Sequence, residues 1–279
     1  MIDKNIQAWS QKDSVNFYAR ERTCVADLYE SESSMLLPVV SRVRSVLDVG
    51  CAIGNFYSIF KELNPRITYT GIDVAEGMIE EARRRHPGVA FHLGNGRKLP
   101  FDNDAFDLVS CMGVLHHNPD YLAMVEEIFR VTRRFAVIDL PRLVTQPYAF
   151  DMATSYMELE SRLSAKCDGD RRAMGKVPYV LANVRELFEN LLPTLSETLS
   201  GIACQGYYGT MHKSIKIPYS SAIFTVVLLV KGKGSIRYCL NLPDDARRIA
   251  EAALSAKGIR VESVKEVITA EREEPKTEA

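Results

Sequence analysis

Four short apolar runs in this chain end on residues able to do chemistry. Val46-Leu47-Asp48-Val49 leads into the turn Gly50-Cys51-Ala52-Ile53-Gly54-Asn55, and Ile67-Thr68-Tyr69-Thr70-Gly71-Ile72 ends on Asp73. Val89 to Leu93 ends on Gly94-Asn95-Gly96, and Phe106 to Cys111 delivers Met112-Gly113-Val114-Leu115-His116-His117. Carboxylates in such places hold cations or hydroxyls, and glycines let a ligand lie flat against the backbone. An imidazole titrating near neutrality takes a proton from an acceptor. These are the parts of a site that binds a nucleotide-like molecule and carries out a group transfer beside it.

The acidic residues narrow the ligand. A dinucleotide sets its pyrophosphate on a helix N-terminus behind glycines at the first, third and sixth positions of the turn; here those positions hold Gly50, Ala52 and Asn55. Asp48 repels a phosphate and suits a ligand carrying an ammonium and a sulfonium, which describes S-adenosylmethionine. Asp73 stands about twenty residues past the turn, where a fold of this type holds the ribose hydroxyls of an adenosine. Asn95, between two glycines, offers its amide to the polar edge of an adenine.

Strand ends converge only if the strands are parallel neighbours. From Val46 to Leu140 the apolar runs alternate with helical segments at Phe56 to Leu63, Met78 to Arg85 and Tyr121 to Val131, and the fifth run is Phe135 to Leu140. That alternation predicts parallel pairing with crossover helices. It puts Asp48, Asp73, Asn95, Met112 and Leu140 on one rim, outside the carboxyl ends of the strands.

The chain resembles the class I S-adenosylmethionine-dependent methyltransferases, and within them the small-molecule group that includes quinone-ring and sterol methyltransferases. The resemblance is carried by Leu47 to Gly54, Gly71 to Met78, Gly94 to Gly96, Leu99 to Asp102 with Phe106 to Val109, and Val114 to His117. It implies an α/β fold: a Rossmann-like, seven-stranded, mostly parallel sheet with an antiparallel last strand and helices on both faces. It also implies S-adenosylmethionine as donor and S-adenosylhomocysteine as product. The implied cofactor site has Asp48 and Gly50 along the methionine and Asp73 on the ribose, with Cys51, Ala52 and Gly54 also counted among its residues. Val74 and Met78 flank the adenine, Gly94, Asn95 and Gly96 lie at its edge, and Cys111 and Met112 end the fourth strand. Tyr18, with Arg20 or Arg22, would meet the cofactor's carboxylate. His116 and His117 are placed near the transferable methyl, His117 as the better candidate for a catalytic base. Two positions depart from the pattern: Asn95 stands where many relatives carry aspartate, and Thr132-Arg133-Arg134 replaces a Lys-Pro-Gly-Gly type of turn.

Composition excludes other classes. A net charge of -1 over 279 residues, with no basic stripe, argues against a nucleic-acid partner; Arg83-Arg84-Arg85 and Arg171-Arg172 read as solvated helix faces. The cysteines, Cys24, Cys51, Cys111, Cys167, Cys204 and Cys239, have neither metal-ligand spacing nor a disulfide framework, so the expectation is reduced thiols, a cytoplasmic protein and no metal. The start Met1-Ile2-Asp3-Lys4-Asn5 lacks the pattern of a signal peptide. The longest apolar run, Ala222 to Val230, is too short to span a bilayer and reads as a buried strand.

Residues 1–44 read as an N-terminal helical cap, with helices around Asn5 to Arg22 and Thr23 to Val43 broken before Pro38, and with Trp9, Phe17, Tyr18 and Tyr29 at helical spacing. Such a cap either packs on the first strand or closes over the site and excludes water. Residues 45–232 form the expected methyltransferase domain, with a helical insertion at about 141–200. Helices are drawn there at Tyr148 to Leu163, Tyr179 to Leu191 and Leu195 to Ser200, around a polar loop from Lys166 to Gly175. Its Tyr148, Phe150, Tyr156 and Tyr179 either pack or line an apolar or aromatic acceptor pocket. Strands at Cys204 to Met211 and Ala222 to Val230, joined by His212 to Ser221, complete the sheet. Residues 233–279 add a β-α-β-like extension (Ser235 to Leu240, Asp244 to Ala256, Ile259 to Val267), which extends the sheet or meets a second copy in a homodimer.

Displacement at an activated sulfonium needs an acceptor held in line and stripped of water, and a base only when the acceptor must lose a proton. His116 and His117 thus have two readings, a base or a loop histidine bonded to the backbone. The expectation is a methyltransferase acting on oxygen, nitrogen or carbon of a small or medium-sized metabolite. The alternative is a non-catalytic, cofactor-binding scaffold protein. Asp48 and the broken glycine spacing disfavour a nicotinamide-dependent oxidoreductase.

Overall fold

The computed structural model describes Trp9 and residues 22–161, 172–195, 198–255 and 260–269. The first half runs as helix α1 (Glu30–Val40), strand β1 (Ser45–Val49), α2 (Asn55–Leu63), β2 (Thr68–Asp73), α3 (Glu76–Arg85), β3 (Ala90–Leu93), β4 (Phe106–Cys111), α4 (Tyr121–Val131) and β5 (Thr132–Asp139). The second half adds β6 (Arg142–Val144), β7 (Tyr156–Ser161), β8 (Arg172–Pro178), β9 (Leu181–Asn183), α5 (Val184–Leu195), β10 (Leu199–Gly209), β11 (Ile215–Lys216) and β12 (Ala222–Lys231). It closes with β13 (Arg237–Asn241), α6 (Asp244–Ser255), β14 (Arg260–Val261) and α7 (Val264–Thr269).

Strands β1 to β5 pair in parallel in the order β3-β2-β1-β4-β5, and β12 lies antiparallel between β5 and β10. This is the expected seven-stranded arrangement. It is widened to eleven strands by β13 and β14 beyond β10 and by β6 and β9 beside β12. Side chains alternate across the strands with period two. Leu47, Val49, Val109, Cys111, Ala136 and Ile138 enter one core with residues of α4, α5 and α6. Val46, Leu108, Phe135 and Val137 enter the other with residues of α1, α2, α3 and α7. Burial on both faces explains why these strands read as continuous apolar runs.

Six local expectations are corrected. Helix α1 runs through Pro38; the proline stands near the C-terminal end, where the fully buried Leu36 and Val39 hold the last turn against the core. No loop separates α4 from β5. Thr132 Oγ1 donates to the Ile128 carbonyl at 2.8 Å, and Lys231 Nζ donates to the carbonyls of Phe129, Arg130 and Thr132 at 3.0, 3.3 and 2.9 Å. The carbonyls that a glycine cap would satisfy are satisfied by a side chain from β12. The insertion has strands where a helix was drawn over Tyr148 to Leu163: β11, β7 and β8 form a separate three-stranded antiparallel sheet. Tyr156-Met157-Glu158-Leu159 alternates with period two, the signal of a strand. The helical expectation holds in part at Val184–Leu195, whereas Leu199 and Ser200 begin β10. Residues Ile259 to Val267, expected as one strand, divide into the short β14 and α7. The loop His212 to Ser221 carries β11. The proposed first helix, with Phe17, Tyr18 and Arg20, lies outside the described residues except for Trp9 and Arg22, as do Cys167 and most of the Lys166 to Gly175 loop.

Among the described residues no helix is long and apolar enough to cross a membrane, and no group of three or more His, Cys, Asp or Glu is placed to hold a metal ion.

Candidate functional site

The site lies at the carboxyl ends of β1, β2 and β4, where the strand order reverses and open α/β sheets leave a crevice. The turn after β1 carries positive φ at Gly50 (78°), Ala52 (46°) and Gly54 (83°). A Cβ on Gly50 would stand 2.2 Å from Val114 Cγ2, so only glycine lets the segment after β4 close on this turn. The N–H groups of Gly50 and Cys51 both donate to the Ile72 carbonyl, at 2.8 and 3.2 Å. Asp73 ties the next layer: Oδ2 accepts from Ala52 N–H and Oδ1 from Ala75 N–H, both at 2.9 Å. One carboxylate therefore joins the turns that follow β1 and β2, and each oxygen retains a second lone pair for a ligand hydroxyl. Burial raises the Asp73 carboxyl above its ordinary range, against the pull of these N–H groups.

Asp48 is 2% exposed, and its Oδ2 accepts from the Tyr69 hydroxyl at 2.7 Å. Burial pushes its carboxyl up to about 7; the Asp73 charge adds to this, while the Tyr69 hydroxyl and the Arg22 guanidinium oppose it. A buried anion short of positive charge suits a cationic ligand. Arg22, itself at φ 50°, pairs with Glu32 at 3.1 Å, places its guanidinium carbon 4.8 Å from the centre of the Tyr29 ring, and brings Nη1 within 4.0 Å of the Cβ position of Gly113. Its Nε is buried without a hydrogen-bond partner.

The remaining expected cofactor residues divide between rim and core. Met78 is buried with Ile53 and Ala75, against Ala52 and Trp9. Cys51 is buried, with Sγ 3.7 Å from the Ala52 carbonyl. Cys111 is enclosed in the core beneath the rim, Met112 is buried on the opposite face, and Val74 is half-buried. Asn95 Oδ1 accepts from Arg97 N–H at 3.0 Å. A Cβ on Gly94 would meet Ile72 Cδ1 at 2.7 Å, and one on Gly96 would meet Met124 Cε at 2.5 Å; both positions are closely packed, against the ends of flexible side chains.

His116 and His117 form a single turn, Leu115–His117, after β4. Their ring centroids lie 4.2 Å apart, and Tyr179 stands 4.9 Å from His116 and 5.7 Å from His117. His117 Nδ1 is 2.9 Å from the Pro178 carbonyl. A carbonyl only accepts, so Nδ1 carries the proton, and in the neutral ring Nε2 keeps a lone pair. Burial lowers the His117 imidazole to about 4; the Pro178 carbonyl opposes this and the Arg142 charge adds to it. His116 Nδ1 is buried without a partner, and burial, then His117, drives its ring well below the ordinary histidine range. Both rings are neutral at pH 7. His212 is exposed on the β10–β11 connection, with Nδ1 2.8 Å from Ser214 Oγ.

Sequence reasoning missed the polar group beside this pair. Arg142 Nη1 meets Asp139 Oδ1 at 2.7 Å, Arg142 Nε donates to the Tyr179 hydroxyl at 3.2 Å, and the guanidinium carbon lies 4.2 Å from the centre of the Phe224 ring. Tyr207 stacks on Phe224 at 5.8 Å and 6° and is one of the exposed large side chains, as is Tyr29. Asp139 carries the signal that marks Asp48 and Asp73, an acid at the end of a buried strand. Arg142 and Glu32 carry none, because the chain places them by pairing.

A crevice at the strand-order switch, a glycine turn and acids on successive strand ends are the arrangement that the resemblance to class I S-adenosylmethionine-dependent methyltransferases implies. Residues 46–135 match the family described as a methyltransferase domain. The chain is similar to the demethylmenaquinone methyltransferase of Lactococcus lactis, 33% identical over 95 residues, or 32% of this chain and 38% of that protein. It is also similar to the phthiotriol/phenolphthiotriol dimycocerosates methyltransferase of Mycobacterium leprae, 31% identical over 121 residues, 41% of this chain and 45% of that protein. The matched stretch thus spans less than half the length of either relative. Among solved structures, an S-adenosylmethionine-dependent methyltransferase of Thermotoga maritima aligns over 80% of this chain and 98% of its own, at 17% identity and a TM-score of 0.48.

Proposed function

We propose that the chain transfers a methyl group from S-adenosylmethionine to oxygen, nitrogen or carbon of a small or medium-sized metabolite with an apolar or aromatic body. The observation that carries this reading is Asp73, whose carboxylate joins the turns after β1 and β2 at 2.9 Å on each oxygen, inside a stretch that matches a methyltransferase domain. The residues present fit the donor: Asp48 complements its cations, Arg22 with its unpartnered Nε faces its carboxylate, and Asp73 holds its ribose. The bound donor supplies a methyl on a sulfonium, which needs no metal to react.

The chain's own residues then position the acceptor. His117 is locked by Pro178 with Nε2 available, so it takes a proton or orients a hydroxyl. Tyr179, Arg142 and Phe224 form the wall on the acceptor side, with Tyr207 and Tyr29 as an aromatic mouth. We assign residues 45–232 to cofactor binding and transfer, with acceptor selection in the 141–200 insertion. Residues 1–44 act as a cap and 233–279 as an extension of the sheet. The free cysteines among the described residues favour a cytoplasmic setting.

Calorimetric titration of S-adenosylmethionine and S-adenosylhomocysteine, with NADH as a control, tests the reading. The wild type binds the first two and ignores NADH, and Asp73→Ala loses more than about 1 kcal/mol of binding, the scale of a charge-assisted hydrogen bond. Absence of binding by the wild type refutes it.

A further inference from the structure

Trp9 is the only tryptophan of the chain, and its indole stands at a junction. On one side it packs with Ala52 against the buried cluster of Ile53, Ala75 and Met78. Ala52 and Ala75 are the two residues whose N–H groups hold Asp73, so this cluster is the floor on which the proposed function lays the adenosine. On the other side the indole centroid lies 5.0 Å from that of His117, at 56°. Floor and imidazole come from different parts of the sheet: the first follows β1 and β2, the second follows β4. The other surroundings of His117 are the His116 ring, the Tyr179 ring, the Pro178 carbonyl and the Arg142 charge.

We propose that Trp9 is a binding residue of the transfer site: its indole touches the bound cofactor on one edge and holds the His117 imidazole on the other. The inference rests on the placement of the cofactor and on the role of His117 given above. Such a residue sets the width of the gap between donor and acceptor. It also keeps water from His117, which sustains the low imidazole pKa that burial produces. The aromatic ring is the required feature, because the contact with His117 is made ring to ring.

Intrinsic fluorescence of the full chain reports on this one indole. S-adenosylmethionine and S-adenosylhomocysteine are titrated separately into the wild type, Trp9→Phe, Trp9→Ala and His117→Gln, with calorimetry on each. The wild-type emission changes saturably, with the dissociation constant that calorimetry gives. Trp9→Phe keeps wild-type affinity, and Trp9→Ala weakens binding about tenfold, the value of one aromatic contact. In a second arm without cofactor, wild-type emission is followed from pH 8 downward while far-UV circular dichroism tracks the fold. A protonated imidazole in contact with an indole quenches it, so emission falls near pH 4 in the wild type and not in His117→Gln. In Trp9→Ala, NMR titration finds the His117 pKa moved toward the ordinary value, a shift that a purely structural role does not produce. Heat of binding without any change in emission, with Trp9→Ala binding as well as wild type, overturns the inference and leaves the proposed function standing. Identical acid quenching in wild type and His117→Gln also overturns it. Absence of binding heat in the wild type overturns the cofactor reading, and this inference with it.

Discussion

Replacing Asp48 by asparagine separates the cost of a buried charge from its use. The carboxyl is 2% exposed and titrates at about 7 in the folded chain, against about 3.9 in an unfolded one. Between these values only the folded chain holds the proton, so the contribution of Asp48 to stability is full below pH 4 and is lost as pH rises to 7. Each pH unit in that window removes about 1.4 kcal/mol, so ionising Asp48 costs about 4 kcal/mol at pH 8. Asparagine has no charge and keeps an oxygen for the Tyr69 hydroxyl, now bonded at 2.7 Å. Its amide brings N–H groups that lack partners, at a cost of about 1–3 kcal/mol. Asp48→Asn is therefore more stable than wild type by about 1–3 kcal/mol at pH 8 and no more stable at pH 4. Urea denaturation followed by circular dichroism at pH 4, 6 and 8 measures both. The reasoning fails if the difference between variant and wild type is the same at all three pH values, or if the variant is the less stable at pH 8. The same substitution weakens S-adenosylmethionine binding, because the cationic ligand loses its buried counter-charge. On the proposed function, the carboxylate is kept for binding at the expense of the fold.

Three other perturbations probe the site. His117→Ala lowers turnover by about 10²–10⁴, the usual contribution of a positioned base, and leaves cofactor affinity in calorimetry unchanged; in the wild type at saturating S-adenosylmethionine, whose cations keep Asp48 ionised, the acid limb of turnover falls near pH 4, where His117 titrates, and an acid limb at pH 6–7 under those conditions contradicts this assignment. Arg142→Met strands Asp139, its partner at 2.7 Å, and costs about 3–5 kcal/mol in chemical denaturation, most of which returns in the double variant with Asp139→Leu. Gly50→Ala puts a side chain at φ 78° and 2.2 Å from Val114 Cγ2; it loses at least about 1–2 kcal/mol of stability, and adding Val114→Ala relieves the clash but not the backbone strain.

The strands that build the cofactor floor were legible because burial on both faces leaves a simple trace, an apolar run closed by an acid or a glycine. Asp48, Asp73 and the two histidines are each found by that punctuation. Asp139 carries the same mark, but its partner Arg142 does not, since a buried ion pair is defined by two distant environments. The insertion misled because its tyrosines and methionine also fit a helical stripe, which competed with the short alternation of Tyr156 to Leu159; its strands are fixed by pairing with one another and, at Met157, with the distant Ile215. The α4–β5 junction was illegible for a related reason. Its cap is supplied by Lys231, far along the chain, so the expected glycine turn is dispensable. The glycines at positions 94 and 96 invite the opposite error, because the space that small residues would leave for a ligand is already filled by the ends of Ile72 and Met124.

The segment proposed to select the acceptor is fastened at both ends. Arg142–Val144 and Leu181–Asn183 pair in parallel with each other, and Leu143 pairs with Ile223 of β12, so the insertion leaves the main sheet and returns to it side by side. Whatever lies between is a cassette in a fixed frame: its sequence and length can change while the exit and re-entry points keep their register. Descent with modification would then act on the choice of acceptor without disturbing the floor. A designer has the same opportunity, since exchanging the segment between Thr145 and Val180 cuts no strand of the main sheet and leaves the donor's half of the chemistry in place.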